Sequence, residues 1–156
     1  MTDYTRPPGG EITLYTMGFT KKTAQDFFSK LMDAGVKRVI DIRLNNRSTL
    51  AGFTKLPDLE YFLKVIVGIG FLYRPEFAPT KDLLDAYREK RIDWLEYERQ
   101  FNALIAQRHI EKLLQPLEAD KSCLLCSEPT PDHCHRRLVA EYLGAQWGNV
   151  EIRHLV

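Results

Sequence analysis

The feature that most constrains the fold is the alternation of short strand-like segments with longer helical segments along the chain. Segments such as ITLYTMG and RVIDIR have the apolar, β-branched composition of buried strands, and each precedes a stretch long enough for a crossover. Strands separated by helices pair in parallel, with helices on both faces of the sheet. The sequence therefore predicts an α/β fold: a three-layer α/β/α domain with about five mainly parallel strands.

The organisation along the chain predicts one domain. The first residues, rich in proline and glycine, indicate a flexible lead-in over residues 1–10, and residues 11–156 form the predicted α/β domain. The chain has three cysteines, no resemblance to a secretion signal at its start, and no apolar run of membrane-spanning length. We therefore expect a cytoplasmic protein with free thiols that makes no membrane contact.

The net charge of the chain limits the classes of molecule that it is expected to bind. The formal net charge is +1 at pH 7, which excludes the large positive field of a protein that binds nucleic acid indiscriminately. Any recognition of an anion must therefore depend on a local group of side chains. A phosphate-bearing small molecule or a nucleic acid remains a possible partner on this basis, and the oligomeric state is not predicted.

Charged and reactive residues follow the predicted strands. In parallel α/β folds ligands bind beyond the carboxyl ends of the strands, near the point where the strand order reverses. One shared site is therefore expected there. The candidates at these ends are Thr16, Gly18, Asp41, Arg43, Cys126 and Glu128.

The motif SEPTPDHCHRR is the densest group of reactive side chains. Pro131 suits the first turn of a helix, and Thr130 or Asp132 could be its N-cap. Arg137 lies four residues before Glu141, which predicts an exposed ion pair on the helix surface. The motif is therefore expected to begin a helix that points at the strand ends.

The start of that predicted helix carries the candidate chemistry. Cys134, His135 and Arg136 fall in its first turn, and the spacing to the following apolar residues directs Cys134 and His135 toward the core. A helix N-terminus favours a thiolate and disfavours an imidazolium. Cys134 is thus a candidate nucleophile with neutral His135 as its base, and Glu128 could also move a proton. In the alternative interpretation Cys134 and His135 are buried core residues.

Several polar side chains could bind an anion together. Arginine pairs well with phosphate and carboxylate groups, and hydroxyl groups add donors. In the alternative each arginine forms an ordinary ion pair with Asp41 or Glu128, and these carboxylates only orient the arginines. The candidates for anion binding are Arg43, Arg47, Arg136 and Ser48.

The cysteines also suggest a metal site, but their spacing argues against the simplest version. Cys123 and Cys126 lie in one apolar strand at an odd separation, so their side chains point to opposite faces. A metal site from Cys126, Cys134 and His135 stays an alternative, as does a redox pair of Cys126 with Cys134, although no Cys-x-x-Cys motif opens a helix. No cofactor is predicted.

Two aromatic groups have simple structural interpretations. Trp94, Tyr97 and Phe101 recur at helical spacing, which predicts packing and not a cofactor site. Phe53 lies in a polar loop between residues 44 and 57, where it could stack on a nucleobase or take part in an ordinary connection.

The order of the motifs resembles a known family. LYTMGFT, VIDIRLNNRS, GIGFLYRPEFAPT, CLLCSEPTPDHCHR and VEIRHL are similar to segments of the family catalogued as domain of unknown function 488, whose members are small bacterial and archaeal α/β proteins with no settled activity. The resemblance extends over nearly the whole domain. The residues that match its motifs are Thr16, Gly18, Asp41, Arg43, Ser48, Cys126, Glu128, Cys134, His135 and Arg136.

The chain departs from the family pattern at two places. Phe19 and Thr20 stand where the family usually has His and Ser, and the common proline near Asn45 and Asn46 is missing. A mechanism that needs that histidine as an acid or base is therefore not expected here.

These observations lead to three hypotheses. The first is an enzyme acting on a phosphate-bearing substrate, such as a nucleotide or a nucleic-acid end, with the arginines holding the anion and Cys134 attacking. The second is a non-catalytic nucleotide-binding or nucleic-acid-binding module that uses the same arginines and Phe53. The third is a thiol-dependent or metal-dependent redox protein centred on Cys126, Cys134 and His135.

Overall fold

A five-stranded parallel sheet forms the centre of the computed structural model, which describes residues 11–47 and 51–156. Every strand pairing is parallel, and the strand order is β3-β2-β4-β1-β5. This arrangement confirms the predicted α/β class. The strands are β1 (Ile12–Gly18), β2 (Arg38–Asp41), β3 (Gly70–Tyr73), β4 (Ser122–Cys126) and β5 (Val150–Leu155).

Helices connect successive strands. A π-helical turn, Leu63–Val67, continues the second helix, and short 3-10 turns occur at Gly52–Thr54, Pro75–Phe77 and Ile110–Lys112. The α-helices are α1 (Ala24–Ala34), α2 (Asp58–Phe62), α3 (Lys81–Arg88), α4 (Trp94–Gln107), α5 (Pro116–Ala119) and α6 (His135–Trp147). Within the part of the chain that is described, no helix is long and apolar enough to cross a membrane.

The helix ends follow local chemistry. The hydroxyl of Thr23 accepts a hydrogen bond from the backbone N–H of Asp26 at the start of α1, and Gly35 ends that helix with a left-handed backbone. Thr80 caps α3 and Asp93 caps α4 in the same way. Each end therefore has the residue type that satisfies its free backbone groups.

The start of α6 differs from the prediction. The helix begins at His135 with Cys134 as its N-cap, so Thr130 and Asp132 do not cap it and Pro131 is not in its first turn. The backbone of Cys134 is extended, with φ −138° and ψ 138°, and helical hydrogen bonding cannot continue through such a residue from Pro131. The chain instead makes a separate turn before Cys134.

Two hydrophobic cores cover the two sides of the sheet. On the side that we call the α1 face, Phe27 and Leu31 of α1 pack against Met17 and Cys123 of the sheet. On the opposite side, the α6 face, residues of α4 and α6 pack against alternate sheet residues such as Leu124. Each strand therefore contributes to both cores with its usual period of two.

The topology places a switch point between β1 and β4. The connection from β1 to β2 passes over the α1 face, whereas the connection from β4 to β5 passes over the α6 face in the opposite direction. Chain segments thus leave the carboxyl ends of these neighbouring strands in opposite directions. Such a point is the usual ligand position in parallel α/β folds.

Candidate functional site

A cavity of about 350 Å³ opens at the carboxyl ends of β2 and β4, on the α6 face. Its floor consists of buried thiol and imidazole groups from Cys126, Cys134 and His135. Two further sets of side chains surround this floor. The aromatic wall is Tyr87, Trp94, Tyr97 and His133, and the rim is Lys81, Asp85, Arg88 and Glu128.

The floor is built where a strand end meets a helix start. Cys126 is the last residue of β4, and Cys134 and His135 are the N-cap and first residue of α6. Nε2 of His135 is 2.7 Å from the Ile42 carbonyl oxygen, which can only accept, so Nε2 carries a proton and donates it. This bond leaves Nδ1 facing the sulfur of Cys126 at 3.3 Å.

The two floor thiols have different acidities. Burial opposes ionisation of Cys134, but hydrogen bonds with Cys126 and His135 and the positive charges of His135 and Arg136 lower its pKa well below the ordinary value. Burial raises the pKa of Cys126, and its contact with Cys134 raises that pKa further. The position of Cys134 at a helix N-terminus favours the same order, so Cys134 is the more acidic thiol of the pair.

The same three floor residues could hold a metal ion. One ligand atom from each of Cys126, Cys134 and His135 lies within 4.8 Å of the other two. Two thiolates and one imidazole suit zinc or another thiophilic ion, with a fourth position left for water or substrate. The carbonyl bonded to Nε2 of His135 would orient the ring for ligation through Nδ1.

The aromatic wall connects the cavity opening to its floor. The exposed ring of His133 stacks on Trp94 at 4.9 Å, and Trp94 stacks on Tyr97 at 5.0 Å. Phe101 continues the series behind the wall and meets the ring of His135 edge-on at 5.6 Å. The predicted packing of Tyr97 and Phe101 is present, and Trp94 and Tyr97 also present ring surface to the cavity.

The charges around the cavity are mixed. The lining includes three cations, Arg43, Lys81 and Arg88, and two carboxylates, Asp85 and Glu128. Lys81 is paired with Asp85 at 2.6 Å. Arg88 is exposed and has no ion-pair partner among residues 11–47 and 51–156, which makes it the most available cation for an anionic ligand.

Arg43 is held by a carboxylate. Its Nε and Nη2 donate to the two oxygens of Asp41 at 2.8 and 2.9 Å, and Nη2 also donates to the Thr54 carbonyl oxygen at 2.7 Å. The guanidinium lies over the ring of Phe19 at 5.5 Å. Asp41 is fully buried, so it orients Arg43, one of the alternatives that the sequence left open.

Arg136 lies behind the cavity wall, where it is fully buried. Its Nη1 donates to the Glu128 carbonyl oxygen at 2.5 Å, and its Nε donates to the hydroxyl of Thr16 at 3.3 Å. The remaining Nη2 has no hydrogen-bond partner among the described residues. Arg136 thus joins β1 to the loop that carries the rim carboxylate.

Gly18 allows the loop that carries Glu128 to pack closely against the end of β1. A Cβ atom at this position would lie 1.6 Å from the Glu128 carbonyl oxygen, so no other residue fits without a shift of the backbone. The loop is also tied to the end of β1 by backbone bonds from Phe19 to Cys126 and from Thr20 to Ser127. Gly18 therefore has a clear packing role beside the cavity.

The structure brings together only part of the predicted site. Cys126, Glu128, Cys134, His135 and Arg43 all line the cavity. Thr16, Gly18 and Arg136 are adjacent but lie behind its wall. Arg47 is exposed and does not line the cavity, Asp41 is covered by Arg43, and Ser48 lies outside the described residues.

Other predicted residues have different positions. Phe53 packs on the rings of Phe27 and Phe28 on the α1 face, away from the cavity, so it is not placed to stack on a ligand there. Arg137 pairs with Glu141 at 3.1 Å, as the spacing predicts. The two sulfurs of Cys123 and Cys126 are on opposite faces, also as predicted.

Sequence reasoning missed most of the wall and rim. Trp94 and Arg88 line the cavity although neither of them follows a strand, whereas His133 belongs to the motif SEPTPDHCHRR that follows β4. Trp94 begins α4, and an aromatic residue at a helix start is the one local signal that could have suggested a position near an opening. The positions of His133 and Arg88 at the cavity depend on how the loop and the helix that carry them pack together, which no local sequence pattern specifies.

Comparison with protein families matches residues 23–143 to the family described as Domain of unknown function DUF488. The matched segment includes the whole cavity lining and Arg136, and it leaves Thr16 and Gly18 of β1 outside. Neither the curated proteins nor the solved structures include a match to this chain. The family description names no activity, so function must be argued from the cavity.

Proposed function

The chain belongs to the family of the domain of unknown function DUF488, and from this premise we propose that it is an enzyme that acts on a phosphate-bearing substrate through Cys134. The observation that carries the proposal is the position of Cys134 at the start of α6, beside His135, on the floor of a cavity with cations at its opening. A nucleotide or a nucleic-acid end is the substrate class that best suits the cavity.

The residues of the cavity floor suggest the steps of the reaction. The sulfur of Cys134 forms a bond to the electrophilic atom of the substrate, and the leaving group departs with its electron pair and takes a proton from His135. Water then attacks the same atom, gives its proton to His135 and breaks the bond to sulfur, while the Glu128 carboxylate on the rim accepts a hydrogen bond from the water. This step restores the Cys134 thiolate and the protonated His135. The hydrogen bond from Nε2 of His135 to the Ile42 carbonyl keeps Nδ1 directed at the sulfur of Cys126, within 4.8 Å of the other floor sulfur.

Binding is assigned to the wall and the opening. Arg88 and Arg43 provide cationic donors for phosphate, and Arg43 is held in place by Asp41. The half-buried ring of Trp94 and the exposed ring of His133 offer surface to a nucleobase or to another flat group, whereas Tyr97 is almost fully buried behind them. The wall rings are already stacked on one another, so little conformational entropy is lost when a ligand binds.

Ligand protection of Cys134 tests the proposal. Inorganic phosphate, AMP and a 5′-phosphorylated oligonucleotide are each added in a thermal-shift assay and during alkylation with iodoacetamide. At least one probe is expected to raise the melting temperature and to slow alkylation of Cys134. Arg88→Ala should weaken both effects, and Arg99→Ala, at an exposed arginine that is not part of the cavity lining, should leave them unchanged.

Two results separate the enzyme from its alternatives. An absence of both effects with all three probes would contradict the proposal. Binding that persists in Cys134→Ala, together with no turnover of any phosphate ester by the wild type, would favour a non-catalytic binding module.

A second candidate is a metal-dependent function, favoured by the close approach of three buried ligand atoms from Cys126, Cys134 and His135 within 4.8 Å. Elemental analysis of the purified protein decides between the two. One equivalent of zinc that is lost in Cys126→Ala would favour the metal site. A metal-free protein whose Cys134 reacts with iodoacetamide would favour the thiol enzyme.

A further inference from the structure

The cavity floor contains two thiols where the proposed reaction uses one. Cys126 and Cys134 are separated by eight positions in the sequence, yet their sulfurs lie within 4.8 Å of each other and both line the same cavity. No step of the proposed reaction uses the sulfur of Cys126. A second sulfur in that position requires its own explanation.

We propose that Cys134 and Cys126 form a reversible disulfide when a hydroperoxide enters the cavity, so that the site is a peroxide-sensitive dithiol. The proposal uses the reactive Cys134 of the proposed function and does not depend on its phosphate-bearing substrate. A small hydroperoxide has access because a cavity of about 350 Å³ reaches both sulfurs.

The first step oxidises Cys134. Its thiolate attacks one oxygen of the hydroperoxide and the O–O bond breaks, so that Cys134 becomes a sulfenic acid. The other oxygen leaves as an alcohol or water after taking the Nδ1 proton of His135, which leaves Nδ1 free to accept a proton. The two electrons come from the sulfur. Neither metal nor cofactor is needed for this step.

The second step uses Cys126 and His135. Nδ1 of His135, 3.3 Å from the sulfur of Cys126, takes the thiol proton, and the resulting thiolate attacks the sulfur of Cys134. The S–O bond breaks, and hydroxide leaves as water with the proton from His135. Two thiols and one hydroperoxide thus give one disulfide, one water and one alcohol or second water.

Cys123, the third cysteine, is not placed to form this disulfide. Cys123 lies in the core of the α1 face, on the other side of the sheet, and does not line the cavity. It is fully buried among apolar side chains. Cys123→Ala is therefore a matched control that removes a thiol from the same strand without touching the floor.

Peptide mapping after peroxide treatment tests the inference. Wild type, Cys123→Ala and Cys126→Ala are each treated with hydrogen peroxide, blocked with N-ethylmaleimide and cut with a protease that cleaves before aspartate. Cleavage before Asp132 separates Cys134 from the other two cysteines, so any link between the fragments is visible by mass spectrometry. The wild type and Cys123→Ala should give the linked pair, which dithiothreitol reverses.

In Cys126→Ala the same treatment should give no linked pair and should drive Cys134 to the sulfinic acid. A link that requires Cys123, or sulfinic acid at Cys134 of the wild type without any link, would overturn the inference. A disulfide between Cys126 and Cys134 in a protein whose Cys134 no phosphate probe protects would contradict only the proposed function. The two failures are therefore distinguishable.

Discussion

Cys123 and Cys126 lie three residues apart on β4, and the contrast between them summarises the difference between the two faces of the sheet. Cys123 is surrounded by the apolar core of the α1 face, where burial raises its pKa to about 12. Cys126 ends the same strand on the α6 face, where it contacts His135 and the cavity. Residue type alone therefore does not show whether a thiol reaches the cavity; its face and its distance from the strand end do.

The polar groups follow the same division. On the side of the α1 face, Asp41 and Arg43 satisfy each other and fix the loop that follows β2. On the α6 face the thiols of Cys126 and Cys134 and the imidazole of His135 line the cavity. Asp41 is expected to matter for stability and the floor groups for chemistry, while Arg43 belongs to both groups because it also lines the cavity. The predictions below test that distinction.

The largest expected effect on stability comes from Asp41→Ala. The substitution leaves the guanidinium of Arg43 buried without its carboxylate, which should lower the free energy of unfolding by about 3–5 kcal/mol. Urea unfolding measures the change. Glu89→Ala removes an exposed carboxylate from a similar pair and should have little effect. Equal stabilities for the two variants would contradict the claim that Asp41 stabilises the fold.

Gly18→Ala should have the next largest effect. The added Cβ must displace the Glu128 carbonyl from its contact with Arg136, which should destabilise the fold by roughly 1–3 kcal/mol. Thermal unfolding checks this value, with Gly52→Ala as a control because its Cβ would meet no atom within 4 Å. If the two variants melt alike, the packing account of Gly18 is wrong.

The smallest effect is a pH dependence from His154. Burial and the positive charge of Arg136 lower the pKa of this ring below its ordinary 6.5, so the unfolded chain binds the proton more readily. Stability from this group is therefore complete above pH 6.5 and declines as the pH falls toward the folded pKa. His154→Gln should flatten that part of the stability profile, and an unchanged profile would contradict the assignment.

Part of this division could be predicted from the sequence. The period of two along a strand placed Cys123 and Cys126 on opposite faces, and helical spacing directed His135 to the interior. Cys134 is buried as expected, although it precedes the helix and has an extended backbone. Those inferences succeed because they depend on local geometry. The rule that ligands lie beyond strand ends also located the cavity.

The positions of the other site residues depend on how the helices and loops pack in the tertiary structure. Charge and position suggested that Arg136 would face a ligand together with Arg43 and Arg47, but the direction of its side chain is set by the hydroxyl of Thr16 and the carbonyl of Glu128. The stack of His133 on Trp94 joins a loop to a helix more than 30 residues earlier in the chain. No periodic pattern carries such information.

The most direct test of the central claim is the alkylation rate of each cysteine in the folded protein as a function of pH. Mass spectrometry with iodoacetamide resolves the three sites. Cys134 should react first, with a rate that has already levelled off below pH 9, while Cys123 should react only after unfolding. Faster reaction at Cys123, or a rate at Cys134 that still rises through pH 9, would contradict the account.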